Sequence, residues 1–132
     1  MKPIPDYFLA LVKQHANLLS NSDAERATRA VTSALDATIE AKRSERLFAV
    51  LPGYLQPSRQ KFFVRLGDLQ PRYRHATIIE RLKISLQLTD NTEVTNLLQA
   101  YFRAVKTVAD PHSKIKLARV LPPELNQLYI KS

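Results

Sequence analysis

The chain has 132 residues, of which 45% are hydrophobic and 24% are charged. A chain of this length and composition can build the core of one domain, which excludes wholesale disorder. The absence of cysteine excludes disulfides, thiolate metal sites and cysteine catalysis. Twenty basic residues against twelve acidic ones give a net charge of +8, and this excess predicts an anionic partner.

The first half of the chain predicts three helices, because apolar residues recur at spacings of three and four between polar breaks. These helices are expected to cover residues 7–19, 24–40 and 45–51. Their expected N-caps are Asp6, Ser22 within a capping box that reaches Glu25, and Ser44. Pro52 and Gly53 then end the third helix, since proline removes a backbone donor and glycine admits positive φ.

The second half repeats this order of caps and helices. Helices are expected over residues 78–88, 93–109 and 111–121, followed by a last turn through Tyr129. Thr77 to Glu80 fits a second capping box, and Asp90 to Glu93 is a polar break that offers two caps. Asp110 places a capping carboxylate before Pro111 at the first helical position, where a missing amide costs nothing.

The two halves align without a gap at an offset of 70 positions, so that VLPxxL at residues 50–55 meets VLPxxL at residues 120–125. Amphipathic hairpins can share an apolar period by chance, but chance does not explain this shared segment after hairpins of equal length. The sequence therefore predicts an all-α, single-domain helical bundle of two similar three-helix repeats. Repeat 1 covers about 6–56 and repeat 2 about 77–130, joined by a basic connector at 57–76. The matched alanines at positions 30, 34, 100 and 104 are expected to let helices pack closely.

The charge excess is uneven, since residues 1–56 hold 7 basic and 6 acidic side chains and residues 57–132 hold 13 and 6. The basic connector interleaves cations with aromatic rings, a mixture that can pair with phosphates and stack on bases. Its expected partner-binding residues are Arg59, Lys61, Phe62, Arg65, Arg72, Tyr73 and Arg74. The alternative is that its aromatic residues anchor a short helix to the core while its cations face water.

A second basic cluster lies in repeat 2 and contains Arg103, Lys106, Lys114, Lys116 and Arg119. Arg103 and Lys106 are three residues apart and share a helix face, so we add both to the expected binding residues. A broad basic surface would result if this face and the connector point the same way.

Motifs for catalysis and for metal or nucleotide binding are missing from the sequence. The three histidines are far apart, and two glycines cannot build the phosphate-binding or nucleophile loops of common enzymes. We therefore expect a non-enzymatic protein with no catalytic, metal or cofactor-binding residue and no cofactor.

The segment DAERATRAVTSAL followed by LFAVLPGYL resembles the bacterial domain-of-unknown-function 2267 family, whose members look like a twofold helical repeat with an AxxAxxAV stretch and an LPxxL ending. The matching residues are Ala24, Ala27, Ala30, Val31, Leu51, Pro52 and Leu55, and in the second half Val105, Leu121, Pro122 and Leu125. The resemblance covers about residues 8–56 and 78–129. It implies an all-helical fold in a soluble prokaryotic protein and carries over no catalytic residue.

Together these features predict a binding or adaptor module that docks an acidic protein or assembly through a basic surface. The alternative is sequence-tolerant nucleic-acid binding by the same residues, with an affinity that falls steeply with salt. No stretch reaches the roughly 18 apolar residues of a membrane-spanning helix, and the first apolar run is too short for a signal peptide. We therefore expect a cytoplasmic location without membrane insertion.

Overall fold

The computed structural model describes residues 3–39, 41–56 and 77–132, which form seven α-helices and one turn of 3-10 helix. The α-helices are α1 (Asp6–Ala16), α2 (Asn21–Thr38), α3 (Ala41–Val50), α4 (Ile78–Leu86), α5 (Asn91–Val108), α6 (Pro111–Val120) and α7 (Pro123–Lys131). The 3-10 turn, Gly53–Leu55, follows α3. This part of the chain contains no strand, which confirms the all-α fold class. The predicted basic connector, 57–76, lies outside the described residues.

The predicted caps of the second half are confirmed at two helices. The Thr77 hydroxyl accepts the Glu80 amide at 3.1 Å and begins α4. The Asp110 carboxylate accepts the Ser113 amide at 2.7 Å, with Pro111 at the first position of α6. In the polar break before α5, Asp90 is the cap and accepts the Thr92 amide at 2.8 Å.

The three predicted caps of the first half are wrong, and the first two concern α1 and α2. Asp6 lies in the first turn of α1, after Pro5 at the N-cap position, and Pro5 makes no side-chain cap. Ser20 rather than Ser22 begins α2, because its backbone is extended and its hydroxyl accepts the Asp23 amide at 3.2 Å. The sequence holds two serines with an acidic residue three positions later, and the helix uses the first.

Ser44 was expected to begin the third helix, and this prediction is also wrong. Helix α3 begins at Ala41, so Ser44 lies inside it. The side chain of Ser44 is buried and its hydroxyl donates to the Asp36 carboxylate at 2.8 Å. The hydroxyl therefore links α3 to the last turns of α2 instead of capping α3.

Helices α1 and α4 end earlier than predicted because the chain turns into the left-handed region after each. Asn17 and Gln87 both have φ of 55°. The amide of the next residue then bonds back to the last turn, Leu18 to the Lys13 carbonyl at 3.0 Å and Leu88 to the Lys83 carbonyl at 2.9 Å. This six-to-one bond defines the Schellman ending of a helix, and a leucine after each left-handed residue is the usual apolar partner of that motif.

Four helices form the centre of the molecule, and each of the two shorter ones packs against both longer ones. Helix α1 packs on α2 and α5, and α4 also packs on α2 and α5. The longer helices α2 and α5 contact each other as well. All four alanines at positions 30, 34, 100 and 104 are buried, in keeping with the close helix packing expected of them.

The remaining helices cover one side of this bundle. Helix α3 packs on α6, and α7 packs against both α5 and α6. A single apolar core runs through all of them, from Phe8 in α1 to Tyr129 in α7. Edge-to-face contacts connect aromatic rings along this core, with Tyr101 and Phe102 at 5.9 Å and Phe102 and Tyr129 at 5.7 Å between centroids.

The described ranges contain no helix that is both long and apolar enough to cross a membrane.

Candidate binding surface

The structure describes two of the nine predicted binding residues, Arg103 and Lys106, both on α5. Arg103 is exposed and Lys106 is half-buried. The other seven lie in the connector, outside the described residues: Arg59, Lys61, Phe62, Arg65, Arg72, Tyr73 and Arg74.

The ammonium of Lys106 is engaged within the molecule. Its Nζ donates to the main-chain oxygen of Ser132 at 2.9 Å and to that of Ile130 at 3.4 Å. The same Nζ lies 4.6 Å from the centre of the Tyr129 ring, a favourable cation–π distance. Lys106 therefore fastens the last turn of α7 to α5, and only the rest of its donor capacity is open to a partner.

Three cations converge around this position. Burial lowers the pKa of Lys106, and the positive charges of Lys114 and Arg103 lower that pKa further. Tyr129 contributes to the arrangement, because its hydroxyl donates to the Lys114 carbonyl at 3.0 Å while its ring lies beside Lys106. The C-terminal part of α5 and the first turns of α6 thus share a positive potential.

The largest described concentration of cations lies on the neighbouring helices α3 and α6. We name this surface the α3–α6 basic face, and its six exposed cations are Lys42, Arg43, Arg46, Lys114, Lys116 and Arg119. Glu45 is the one acidic residue within the two helices. Because α3 packs on α6, these exposed cations lie on two neighbouring helices.

None of these six cations is in an ion pair or a side-chain hydrogen bond with another residue of the described ranges. By contrast, Arg29 forms an ion pair with Glu25 at 2.8 Å, one turn away on α2. Hydrated, unpaired surface cations contribute little to stability. The α3–α6 basic face is therefore available to an external anion.

An apolar side chain lies among these cations on α6. His112, Ile115, Lys116 and Arg119 are all exposed, and their spacing of three, one and three places them in one stripe of the helix. Ile115 is 55% exposed, although it is a large apolar residue. The equivalent stripe of α3 contains Lys42, Glu45, Arg46 and Ala49.

The core behind this face offers no room for a small-molecule substrate. An apolar space between α2, α3, α5, α6 and α7 is lined by residues such as Leu47, Leu117 and Tyr101. The cavity volume is about 10 Å³, roughly the smallest space that holds one water molecule. The described residues also contain no group of three or more histidine and acidic side chains that could hold a metal ion.

The cations of α3 were missed as candidate residues by the sequence analysis. Counted over the whole first half, the seven basic side chains nearly cancel against six acidic ones. The acidic residues lie mostly in other elements, such as Asp23 and Glu25 at the start of α2. Counting charge helix by helix would have separated Lys42, Arg43 and Arg46 from them.

Comparison with known protein families, with curated proteins and with solved structures gives no match for this chain. Membership of the domain-of-unknown-function 2267 family stays a prediction that rests on the residues named above.

Proposed function

We propose that the protein is a non-enzymatic binding module that docks an acidic protein or assembly through a basic surface. The observation that carries the proposal is the α3–α6 basic face, where two neighbouring helices carry six exposed and unpaired cations and one carboxylate. A surface of this kind attracts an anionic partner over a distance and fixes its orientation. The connector cations Arg72 and Arg74 and the exposed Arg103 belong to the same proposal.

An acidic protein is favoured over nucleic acid by what the face presents between its cations. Sequence-tolerant nucleic-acid binding combines cations with aromatic rings on which bases stack. The α3–α6 basic face presents Ile115 as its exposed large apolar residue, and its one phenylalanine, tyrosine or tryptophan, Phe48, is buried, which leaves the imidazole of His112 as its exposed aromatic ring. Nucleic acid remains the alternative outcome of the test below.

We also propose that the bundle is a twofold repeat of three helices in one domain. The bounds of the helices support this, because α2 and α5 are both 18 residues long and begin 70 residues apart. Helices α3 and α6 are both 10 residues long and are separated by the same offset. The left-handed residues Asn17 and Gln87 share this offset too.

Side-chain bonds and helix packing give further support. The Gln56 side chain donates to the Phe48 carbonyl at 2.8 Å, and 70 residues later the Asn126 side chain donates to the Ala118 carbonyl. The packing is reciprocal, since α1 contacts α5 while α4 contacts α2, and α3 contacts its counterpart α6. A cytoplasmic location and a prokaryotic source remain predictions of the sequence.

The test compares two variants that remove the same charge from different surfaces. Arg46→Glu with Lys116→Glu reverses the α3–α6 basic face, and Arg26→Glu with Lys131→Glu reverses exposed cations on α2 and α7. The probes are a fluorescent dodecapeptide of glutamate and a fluorescent oligonucleotide of twelve deoxythymidines, followed by anisotropy at about 50 and 200 mM salt.

We expect the face variant to bind the glutamate peptide about tenfold more weakly than the wild type, and the control variant to stay within about threefold. Equal losses in the two variants would contradict a defined docking face. Tight binding of the oligonucleotide alone, with a steep salt dependence, would replace the proposal by the nucleic-acid alternative.

A further inference from the structure

We propose that Ile115 is an apolar anchor within the α3–α6 basic face, so that the partner is an acidic peptide segment with an apolar side chain between its carboxylates. This inference rests on the proposed function and specifies the chemistry of the partner. It goes beyond net charge, because it assigns a contact to an apolar side chain that lies between cations on α6.

The first observation is the position of Ile115 within its helix. It lies between Lys114 and Lys116 in the sequence and one turn from His112 and Arg119. The buried side of α6 is provided by Leu117, which is almost fully enclosed. Ile115 therefore points away from the core, and a partner that lies along the stripe would cover it.

The surroundings of Ile115 enlarge the apolar contact area. The stems of lysine and arginine side chains are aliphatic up to their charged ends. Lys116 and Arg119 can therefore pack their stems beside Ile115 while their charged groups pair with carboxylates of a partner. An apolar side chain flanked by acids matches this arrangement, with apolar contact in the middle and ion pairs around it.

The second observation is the difference between α6 and α3. Position 45, 70 residues before Ile115, is Glu45, and position 49, before Arg119, is Ala49. The α3 stripe thus has a carboxylate where the α6 stripe has an isoleucine, while each stripe contains two cations, because Lys42 precedes His112 by the same 70 residues. An acidic segment is repelled by Glu45 and is attracted to the α6 side, which assigns the apolar contact to Ile115.

The test uses two peptides of equal charge and two variants that each replace one exposed isoleucine by serine. Both peptides contain ten glutamates in twelve residues, and the remaining two are serine in one peptide and leucine in the other. The variants are Ile115→Ser and the control Ile84→Ser, because Ile84 is 42% exposed on α4. Anisotropy gives the affinity of each peptide for each protein.

We expect the leucine peptide to bind the wild type about 5- to 10-fold more tightly than the serine peptide, as burial of one apolar side chain allows. Ile115→Ser is expected to abolish this ratio and to leave the affinity for the serine peptide unchanged. Ile84→Ser is expected to keep the ratio.

The possible failures are distinguishable. A ratio near one in the wild type, or a ratio that survives Ile115→Ser, overturns the anchor, while binding of the serine peptide that depends on Arg46 and Lys116 leaves the proposed function in place. If neither peptide binds and the deoxythymidine oligonucleotide does, the anchor and the acidic-protein proposal both fall.

Discussion

The hydroxyl of Tyr101 on α5 lies 3.1 Å from the Thr32 hydroxyl on α2, and both side chains are buried. The Thr32 hydroxyl also donates to the Thr28 carbonyl at 2.9 Å. A threonine hydroxyl has one hydrogen, and here the carbonyl takes it. The Tyr101 hydroxyl is therefore the donor to Thr32, and this direction predicts different costs for removing each partner.

Thr32→Val removes the acceptor and leaves the Tyr101 hydroxyl as a buried donor without a partner. The expected cost is about 2 kcal/mol of unfolding free energy, within the roughly 1–3 kcal/mol range for such groups. Tyr101→Phe removes the donor and leaves Thr32 bonded to Thr28, so the expected cost is about 1 kcal/mol. The double variant has no buried donor without a partner. Its loss of unfolding free energy should therefore be about 1 kcal/mol smaller than the sum of the losses in the single variants.

Urea unfolding followed by circular dichroism at 222 nm gives these energies, provided that the slope with urea is the same in every protein. Thr107→Val is the control, because Thr107 is exposed and makes the same bond to a carbonyl four residues earlier without a tyrosine. It is expected to change stability by less than about 0.5 kcal/mol. A larger cost for Tyr101→Phe than for Thr32→Val, or additive costs, would refute the assigned direction of the bond.

Four further outcomes follow from the same packing and electrostatics. Ala104→Leu overfills the buried bundle and is expected to cost about 1–3 kcal/mol in urea unfolding, whereas Ala10→Leu at an exposed position stays within about 0.5 kcal/mol. Hydrogen bonding by the Ser113 amide lowers the pKa of Asp110 below 3.8, so this stabilisation is present above that pH and is lost as the pH falls. Asp110→Asn should keep the cap, and the midpoint of urea unfolding should then fall less steeply as the pH is lowered. Burial raises the pKa of Tyr101 above 10.0, so stability falls as the pH rises beyond that value, and Tyr101→Phe should lessen the fall in urea midpoint. Lys106→Met should speed hydrogen exchange in the last turn of α7 while exchange in α1 stays unchanged.

The helical fold class could be predicted because its signals are local. Apolar spacing and polar breaks fixed the order of the helices, and Asp110 before Pro111 marked the start of α6 within the chain. The predicted boundaries failed where two local signals compete. Ser20 and Ser22 both precede an acidic residue by three positions, and the end of α1 at the left-handed Asn17 decides between them.

Other contacts could not be predicted because they join residues that local spacing does not connect. Serine is a residue type that often caps helices, yet the Ser44 hydroxyl donates a hydrogen bond to Asp36 across the junction of α2 and α3. Lys106 lies three residues after Arg103 on α5, and this spacing predicts a surface cation. Its ammonium instead donates a hydrogen bond to a main-chain oxygen at the end of α7. A local pattern predicts which side of a helix a residue is on, whereas tertiary packing decides what it meets there.

In the proposed repeat, the core and the surface differ in how closely their equivalent positions agree. Many core positions keep the same apolar residue, as at Leu47 and Leu117, because volume and burial restrict them, whereas the buried Thr28 and Thr32 have Leu98 and Phe102 as counterparts. Charged positions are less restricted, since exposed charges contribute little to stability. Asp36 of the first half has Lys106 as its counterpart, and Glu45 has Ile115. The first exchange replaces a half-buried carboxylate bonded to Ser44 by a lysine bonded to the end of α7, so it changes a local contact. The second replaces an exposed carboxylate by an exposed apolar side chain, so it changes the surface alone.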